Sequence, residues 1–281
     1  MDARKQQEQK VIEALSFGFV QHAIIAGILV SIISGIIGSL IVVNRMVFLA
    51  GGIAHTSYGG IGLAIFFGLP IFLGASMFAL IAAMIIAMLT LKNKNRIDTI
   101  IGLIWAVGMA IGVIFVDMTD GYNVDLMSYL FGSILAVSSS DLYFMAGLLV
   151  VIVLVLLKYY RDILAVSYDI EYASIRGINV KFFYTLILVL SALSVVVAIK
   201  VVGLILVIAM LTIPVYIAER VSNSLIGMMI YSSIISTIFT MLGLYLSYSY
   251  NLTSGASIIL VSALGMALFM LWEYTTNRSP L

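Results

Sequence analysis

The sequence contains no cysteine, and charged residues make up only 10% of its 281 positions. Without cysteine the chain has no disulfide, no thiolate metal ligand and no thiol redox motif. Hydrophobic residues make up 63% of the sequence, a share that no water-soluble core requires. This composition indicates a polytopic membrane protein. The formal net charge of +1 gives no sign of a nucleic-acid partner.

Long uncharged apolar segments recur along the chain. A transmembrane helix needs about 18 or more such residues, and the segments lack the alternating pattern of a barrel strand. Because lipid offers the backbone no hydrogen-bond partner, the segments must be helices. We therefore predict an all-α polytopic membrane protein with eight or nine transmembrane helices, forming a single domain over residues 1–281. The predicted spans are 17–43, 47–67, 71–91, 99–116, 142–157, 182–199, 201–218 and 225–272, of which the last is long enough for two, and 126–138 is a candidate re-entrant or periplasmic helix.

Basic residues indicate the orientation of the chain. One threading of nine spans places most of them on a single side, which the positive-inside rule makes cytoplasmic. Lys200 and the charges of the polar segment 1–16 fall on the other side, so either the N-terminus is external against its own charge or one span is miscounted. The residues on the cytoplasmic side are Arg45, Lys92, Lys94, Arg96, Lys158, Arg161, Arg176, Lys181, Arg220 and Arg278.

Two hydrophilic segments connect the predicted spans in this threading. Residues 117–125 form an external, solvated turn. Residues 158–181 form a cytoplasmic loop in which Asp169 can cap a short helix, Glu171 lies in its first turn and Gly177 marks its end. A short capped helix exposed in the cytosol suits docking into a groove on another protein, and an ordinary solvated connection is the alternative.

His55 lies in a stretch, 46–91, that contains no Asp, Glu, Lys or Arg. An ionisable residue inside the membrane is by default a functional-site hypothesis. The alternative is a histidine that serves helix packing and bonds a neighbouring hydroxyl such as Ser57 or Thr56. Gly51 and Gly59 lie four residues to either side, so the imidazole can face a cavity or an opposing helix.

The sequence shows no site for chemistry. It has no phosphate-cradling loop, no nucleophile paired with a base and no paired carboxylates in the membrane. We therefore predict that the chain is not an enzyme, and that any ATPase that drives transport is another chain.

Four motifs follow one another along the chain. The first is Asn44-Arg45-Met46 followed by Ala54-His55. The others are Asp98-Thr-Ile-Ile-Gly102, the segment 124–138 followed by Asp141-Leu142, and Val201-Val-Gly203-Leu-Ile-Leu followed by Ile213-Pro214 and Glu219-Arg220. In this order and spacing they resemble the permease family of bacterial zinc, manganese and iron ABC importers over nearly the whole chain, and His55 falls on the histidine of the family motif.

The resemblance implies a multi-pass permease of the bacterial or archaeal cell (inner) membrane that works as a homodimer. Its implied partners are two cytoplasmic ATPase subunits, which bind the ATP, and an extracytoplasmic metal-binding protein. No cofactor is implied in this chain, and the divalent metal is cargo. His55 is implied as a metal ligand of the translocation path. The cytoplasmic coupling helix of the family falls on Asp169, Glu171, Ala173, Arg176 and Gly177.

One position departs from the family pattern. Members commonly carry an Asp one helical turn before the histidine, where both side chains can bind a divalent cation, and this sequence has Gly51 there. A lone imidazole binds a hydrated dication weakly. Either the two His55 of a dimer act together, another residue supplies the oxygen ligand, or this member recognises something different.

The predicted function is import of a divalent transition metal, with zinc ahead of manganese and iron because imidazole without carboxylate suits the softer ion. A permease for a metal chelate is the nearest alternative. A stand-alone secondary transporter and a structural membrane subunit are further alternatives. The spans have no central Asp or Glu, and secondary transport generally needs such residues or unwound helices.

Overall fold

The computed structural model describes residues 17–90, 97–119 and 131–276. In these ranges the chain is helical throughout apart from short connections, which confirms the predicted all-α fold. The helices are α1 Gly18–Val43, α2 Val47–Phe67, α3 Ile71–Thr90, α4 Ile97–Asp117, α5 Ser139–Tyr168, α6 Ile170–Ile175, α7 Val180–Val202, α8 Val207–Val221, α9 Leu225–Tyr250 and α10 Ser254–Thr275, with a 3-10 helix at Ile134–Ala136.

Seven of these helices are long and apolar enough to cross a membrane, namely α1, α3, α4, α5, α7, α9 and α10. Helix α2 has 21 residues, which is also enough for a crossing, but its middle is polar around His55, Thr56 and Ser57. Helix α8 has only 15 residues and contains Pro214. Seven described helices are therefore candidate spans, α2 is long enough to be an eighth, and α8 is a shorter ninth helix, against the predicted eight or nine spans.

Two predicted boundaries differ from the structure. The span expected over 201–218 is divided, because α7 continues to Val202 and Gly203 follows it with a φ of +88°. The loop expected over 158–181 is mostly helix, since α5 extends to Tyr168 with a kink at Tyr159. The connection between α5 and α7 is therefore limited to residues 169–179, which contain α6. The N-terminal segment 1–16, the basic cluster at 92–96, most of the external turn and residues 126–130 lie outside the described residues. The described remainder of the candidate re-entrant segment, 131–138, contains the 3-10 helix Ile134–Ala136.

Close packing of α1 on α9 depends on small residues of α1, namely Gly27, Ser31 and Gly35. A Cβ on Gly35 would collide with the backbone of Ser233. Ser31 Oγ lies 2.9 Å from Thr240 Oγ1. Hydrogen bonds of this kind between membrane helices contribute only about 0.6 kcal/mol each on average, so close van der Waals packing is the larger contribution here.

Helix α2 is held between α3 and α4 in the same way. A Cβ on Gly60 would collide with the carbonyl of Gly74 in α3, and one on Gly62 would collide with Gly112 in α4. These backbone contacts leave α2 little freedom to rotate between its neighbours. Glycine packing against α3 and α4 therefore fixes the direction in which α2 presents His55.

Candidate functional site

The imidazole of His55 lies flat against the indole of Trp105 in α4. The two ring centroids are 3.9 Å apart and the planes differ by 10°. Sequence reasoning expected this side chain to face a cavity or an opposing helix, and it faces an opposing helix. Trp105 was not predicted as a site residue, although it is one of only two tryptophans and lies in an apolar span.

The neighbouring hydroxyls are not partners of His55. Thr56 Oγ1 donates to the carbonyl of Gly52 at 2.7 Å, and Ser57 Oγ donates to that of Ala54 at 2.6 Å. Both therefore bond their own helix, as hydroxyls in membrane helices commonly do. The packing alternative, in which a hydroxyl satisfies the imidazole, is not what the structure has.

The Nδ1 atom of His55 is enclosed and has no hydrogen-bond partner in the described part of the chain. A buried polar group without a partner costs about 1–3 kcal/mol. Ser34 Oγ and Ser76 Oγ are enclosed without a partner in the same part of the chain as well.

Among the described residues, no carboxylate takes the place of the family Asp beside His55. Gly51, one turn before it, faces α8, where a Cβ would lie 2.8 Å from Ile208 Cδ1. Within the described residues no group of three His, Cys, Asp or Glu side chains is placed to hold a metal ion.

One end of the bundle is polar and open. A cavity of about 690 Å³ is lined there by residues from the α1–α2 turn, the end of α5 and the α8–α9 turn, including Arg45, Ser167, Glu219 and Asn223. Arg220, at the end of α8, pairs with Glu273 of α10 at 3.2 Å. Arg45 and Arg220, two of the residues that the threading assigned to the cytoplasm, thus lie at the same end of the bundle.

Helix α6 lies at this same end and has the predicted local geometry. Asp169 Oδ1 accepts a hydrogen bond from the Tyr172 amide at 2.9 Å. Glu171 lies in the first turn, and Gly177 follows the helix with a φ of +73°. Its location on the chain and its caps were therefore predictable from the sequence.

The surface of α6 is more apolar than the charged residues indicated. Ala173 is fully buried against the bundle, whereas Ile175 is 87% exposed. Tyr168, Ile170 and Tyr172 are also exposed. Asp169, Glu171, Arg176 and Gly177 are exposed around them. Sequence reasoning missed these apolar side chains, because exposure of single residues in a six-residue helix leaves no periodic signal.

Comparison with known proteins decides the family. Residues 16–273 match the ABC 3 transport family. The chain belongs to this family. It is the membrane-spanning permease type of ABC transport subunit, which argues against a stand-alone secondary transporter.

Relatives align along almost their full length. An uncharacterized membrane protein of Synechocystis, slr2045, is 45% identical over 91% of this chain and 91% of its own length. The manganese transport system membrane protein MntC of Listeria monocytogenes is 33% identical over 89% of each chain. Among solved structures, PsaBC from Streptococcus pneumoniae in complex with Fab has a TM-score of 0.84 at 32% identity, covering 96% of this chain and 99% of the other.

Proposed function

We propose that this chain is the permease of an ATP-driven importer for a divalent transition metal ion, with manganese as the first candidate. His55 supports the metal, because it is an ionisable imidazole in a helix that contains no Asp, Glu, Lys or Arg. The ranking of the metals changes from the one that the sequence favoured. Zinc came first on ligand chemistry alone, whereas relatives of similar length are named manganese transporters.

The permease works as a homodimer in this proposal. One chain supplies a single imidazole, and a second copy that brings its own His55 to the shared path supplies another. Two neutral imidazoles without a thiolate give a site of moderate affinity. Such a site releases its ion, as transport requires.

Helix α6 is the proposed contact with a cytoplasmic ATPase. Its exposed apolar side chains, with Ile175 foremost, suit a groove on a partner. Ala173 anchors the other face of α6 to the bundle. Movement of the ATPase would therefore be transmitted to α5 and α7, which flank α6 in the chain.

The test is metal uptake by liposomes that contain the permease with its ATPase, supplied with the extracytoplasmic binding protein. We expect ATP-dependent accumulation of Mn²⁺, and loss of that accumulation in His55→Ala although the complex still assembles. The matched control is His22→Ala, which removes the other histidine of the chain. Normal uptake by His55→Ala would overturn the assignment, and uptake of chelated metal alone would favour the chelate alternative.

A further inference from the structure

The stack between His55 and Trp105 has a geometry beyond that of simple contact. The planes are nearly parallel at a centroid distance of 3.9 Å. The indole N–H donates to Met109 Sδ at 3.1 Å, one turn further along α4. The indole is thus itself held in place, and its face is presented to the imidazole.

Helix packing does not require this stack. Gly59 lies against Gly108, and Gly62 lies against Gly112. These glycines bring α2 and α4 together on backbone contacts. The contact between Trp105 and His55 is therefore not needed to hold α2 against α4.

Histidines that bind metal are ordinarily oriented by a hydrogen bond from their second ring nitrogen. His55 lacks that bond among the residues described, since its Nδ1 is enclosed without a partner. The indole face restricts the imidazole instead, and Nε2 is the nitrogen left for a ligand in the ring plane. An imidazole that carries the charge of a bound metal is also attracted to the indole face.

We propose that Trp105 is the positioning residue of the metal path: its indole face fixes the plane of His55 and strengthens capture of a divalent cation at Nε2. This inference rests on the proposed role of His55 in metal transport. It adds a residue on another helix, α4, to the path. The stack takes over the orienting task that a hydrogen bond performs in other metal sites.

A fluorescence titration tests the contact directly. Trp272→Phe leaves Trp105 as the single tryptophan, because the chain has two. Mn²⁺ is paramagnetic and quenches an indole that lies within a few ångströms. We expect saturable quenching when Mn²⁺ is added to the permease–ATPase complex without binding protein. We expect no quenching in the double variant that carries His55→Ala together with Trp272→Phe. Quenching that persists in His55→Ala, or its absence from the parent, overturns the inference.

Binding measurements separate positioning from folding. With Trp105→Leu we expect the half-saturating Mn²⁺ concentration in equilibrium dialysis to rise about two- to tenfold. Trp105→Phe keeps an aromatic face and restores most of the affinity. Trp272→Leu, the matched control at the end of α10, leaves affinity unchanged. If Trp105→Leu does not assemble, the fluorescence titration and Trp105→Phe decide.

The outcomes also distinguish this inference from the proposed function. Unchanged Mn²⁺ affinity in Trp105→Leu, together with loss of uptake in His55→Ala, defeats the positioning role and leaves the metal path intact. Normal uptake in His55→Ala defeats the proposed function itself.

Discussion

Lys200 Nζ lies 3.4 Å from Asp141 Oδ2, and this ion pair ties the end of α7 to the start of α5. Asp141 also accepts hydrogen bonds from the Ser138 amide at 2.9 Å and from the Ser138 hydroxyl at 2.7 Å. Ser138 in turn accepts a hydrogen bond from the Asp141 amide, which completes a capping box. The threading placed Lys200 apart from the other basic residues, and the structure supplies its partner.

We expect Asp141→Ala to lower the free energy of unfolding by roughly 1–2 kcal/mol, because the cap and the ion pair are lost together. Thermal denaturation in detergent measures the loss. Asp141→Asn is the control, since its amide oxygen can still accept from Ser138. A smaller loss in Asp141→Asn assigns the difference to the charge. Equal stability of Asp141→Ala and the parent would contradict the expectation.

Glycines of α2 should differ sharply in their tolerance of a methyl group. Gly51→Ala places its Cβ against the far end of the flexible Ile208 side chain, so we expect almost parental stability. Gly60→Ala places its Cβ against the backbone of Gly74, which cannot move aside as a side chain can. Overpacking of this kind costs about 1–3 kcal/mol. Thermal midpoints of the two variants provide the comparison, and similar midpoints would contradict the packing described for α2.

Gly51 also offers a test of metal preference. Gly51→Asp adds a hard oxygen one helical turn before His55. Because carboxylate oxygen suits Mn²⁺ better than imidazole does, we expect the ratio of Mn²⁺ to Zn²⁺ uptake to rise. Gly51→Asn has the same shape without the charge and is the control. An unchanged ratio in Gly51→Asp would place Gly51 outside the metal path.

Orientation in the membrane can be tested with two serines. Ser140 and Ser174 are both exposed, and the threading puts them on opposite sides. The natural chain has no cysteine, so the background is clean. An impermeant thiol reagent added to intact cells should label Ser140→Cys and spare Ser174→Cys until the cells are opened. Labelling of Ser174→Cys from outside would reverse the topology.

Much of the fold was predictable from the sequence because lipid imposes a simple rule. An uncharged apolar segment must be a helix, and the bounds of α2 agree with the prediction at both ends. A predicted boundary was wrong where charged residues lie inside a helix instead of beyond its end. The charges at Lys158 and Arg161 indicated a loop, but α5 continues past them to Tyr168.

The site was less predictable than the fold. His55 and the caps of α6 are local signals, which one stretch of sequence contains. Trp105 is 50 positions away and reaches His55 only because glycines set the approach of α4 to α2. Contacts of this kind depend on helix packing, and one sequence carries no direct sign of them.

Helix α6 supplies the last prediction. Ile175→Asp places a charge on the most exposed apolar side chain of α6, so docking of an ATPase there should become unfavourable. We expect loss of ATP-dependent uptake, while Mn²⁺ binding to the permease stays parental. Tyr274→Asp is a close control, because Tyr274 is 85% exposed near Glu273, whose pairing with Arg220 places it at the same end of the bundle. If Ile175→Asp transports normally, α6 is an ordinary connection. If Tyr274→Asp fails as well, a charge anywhere on this surface is enough to stop transport.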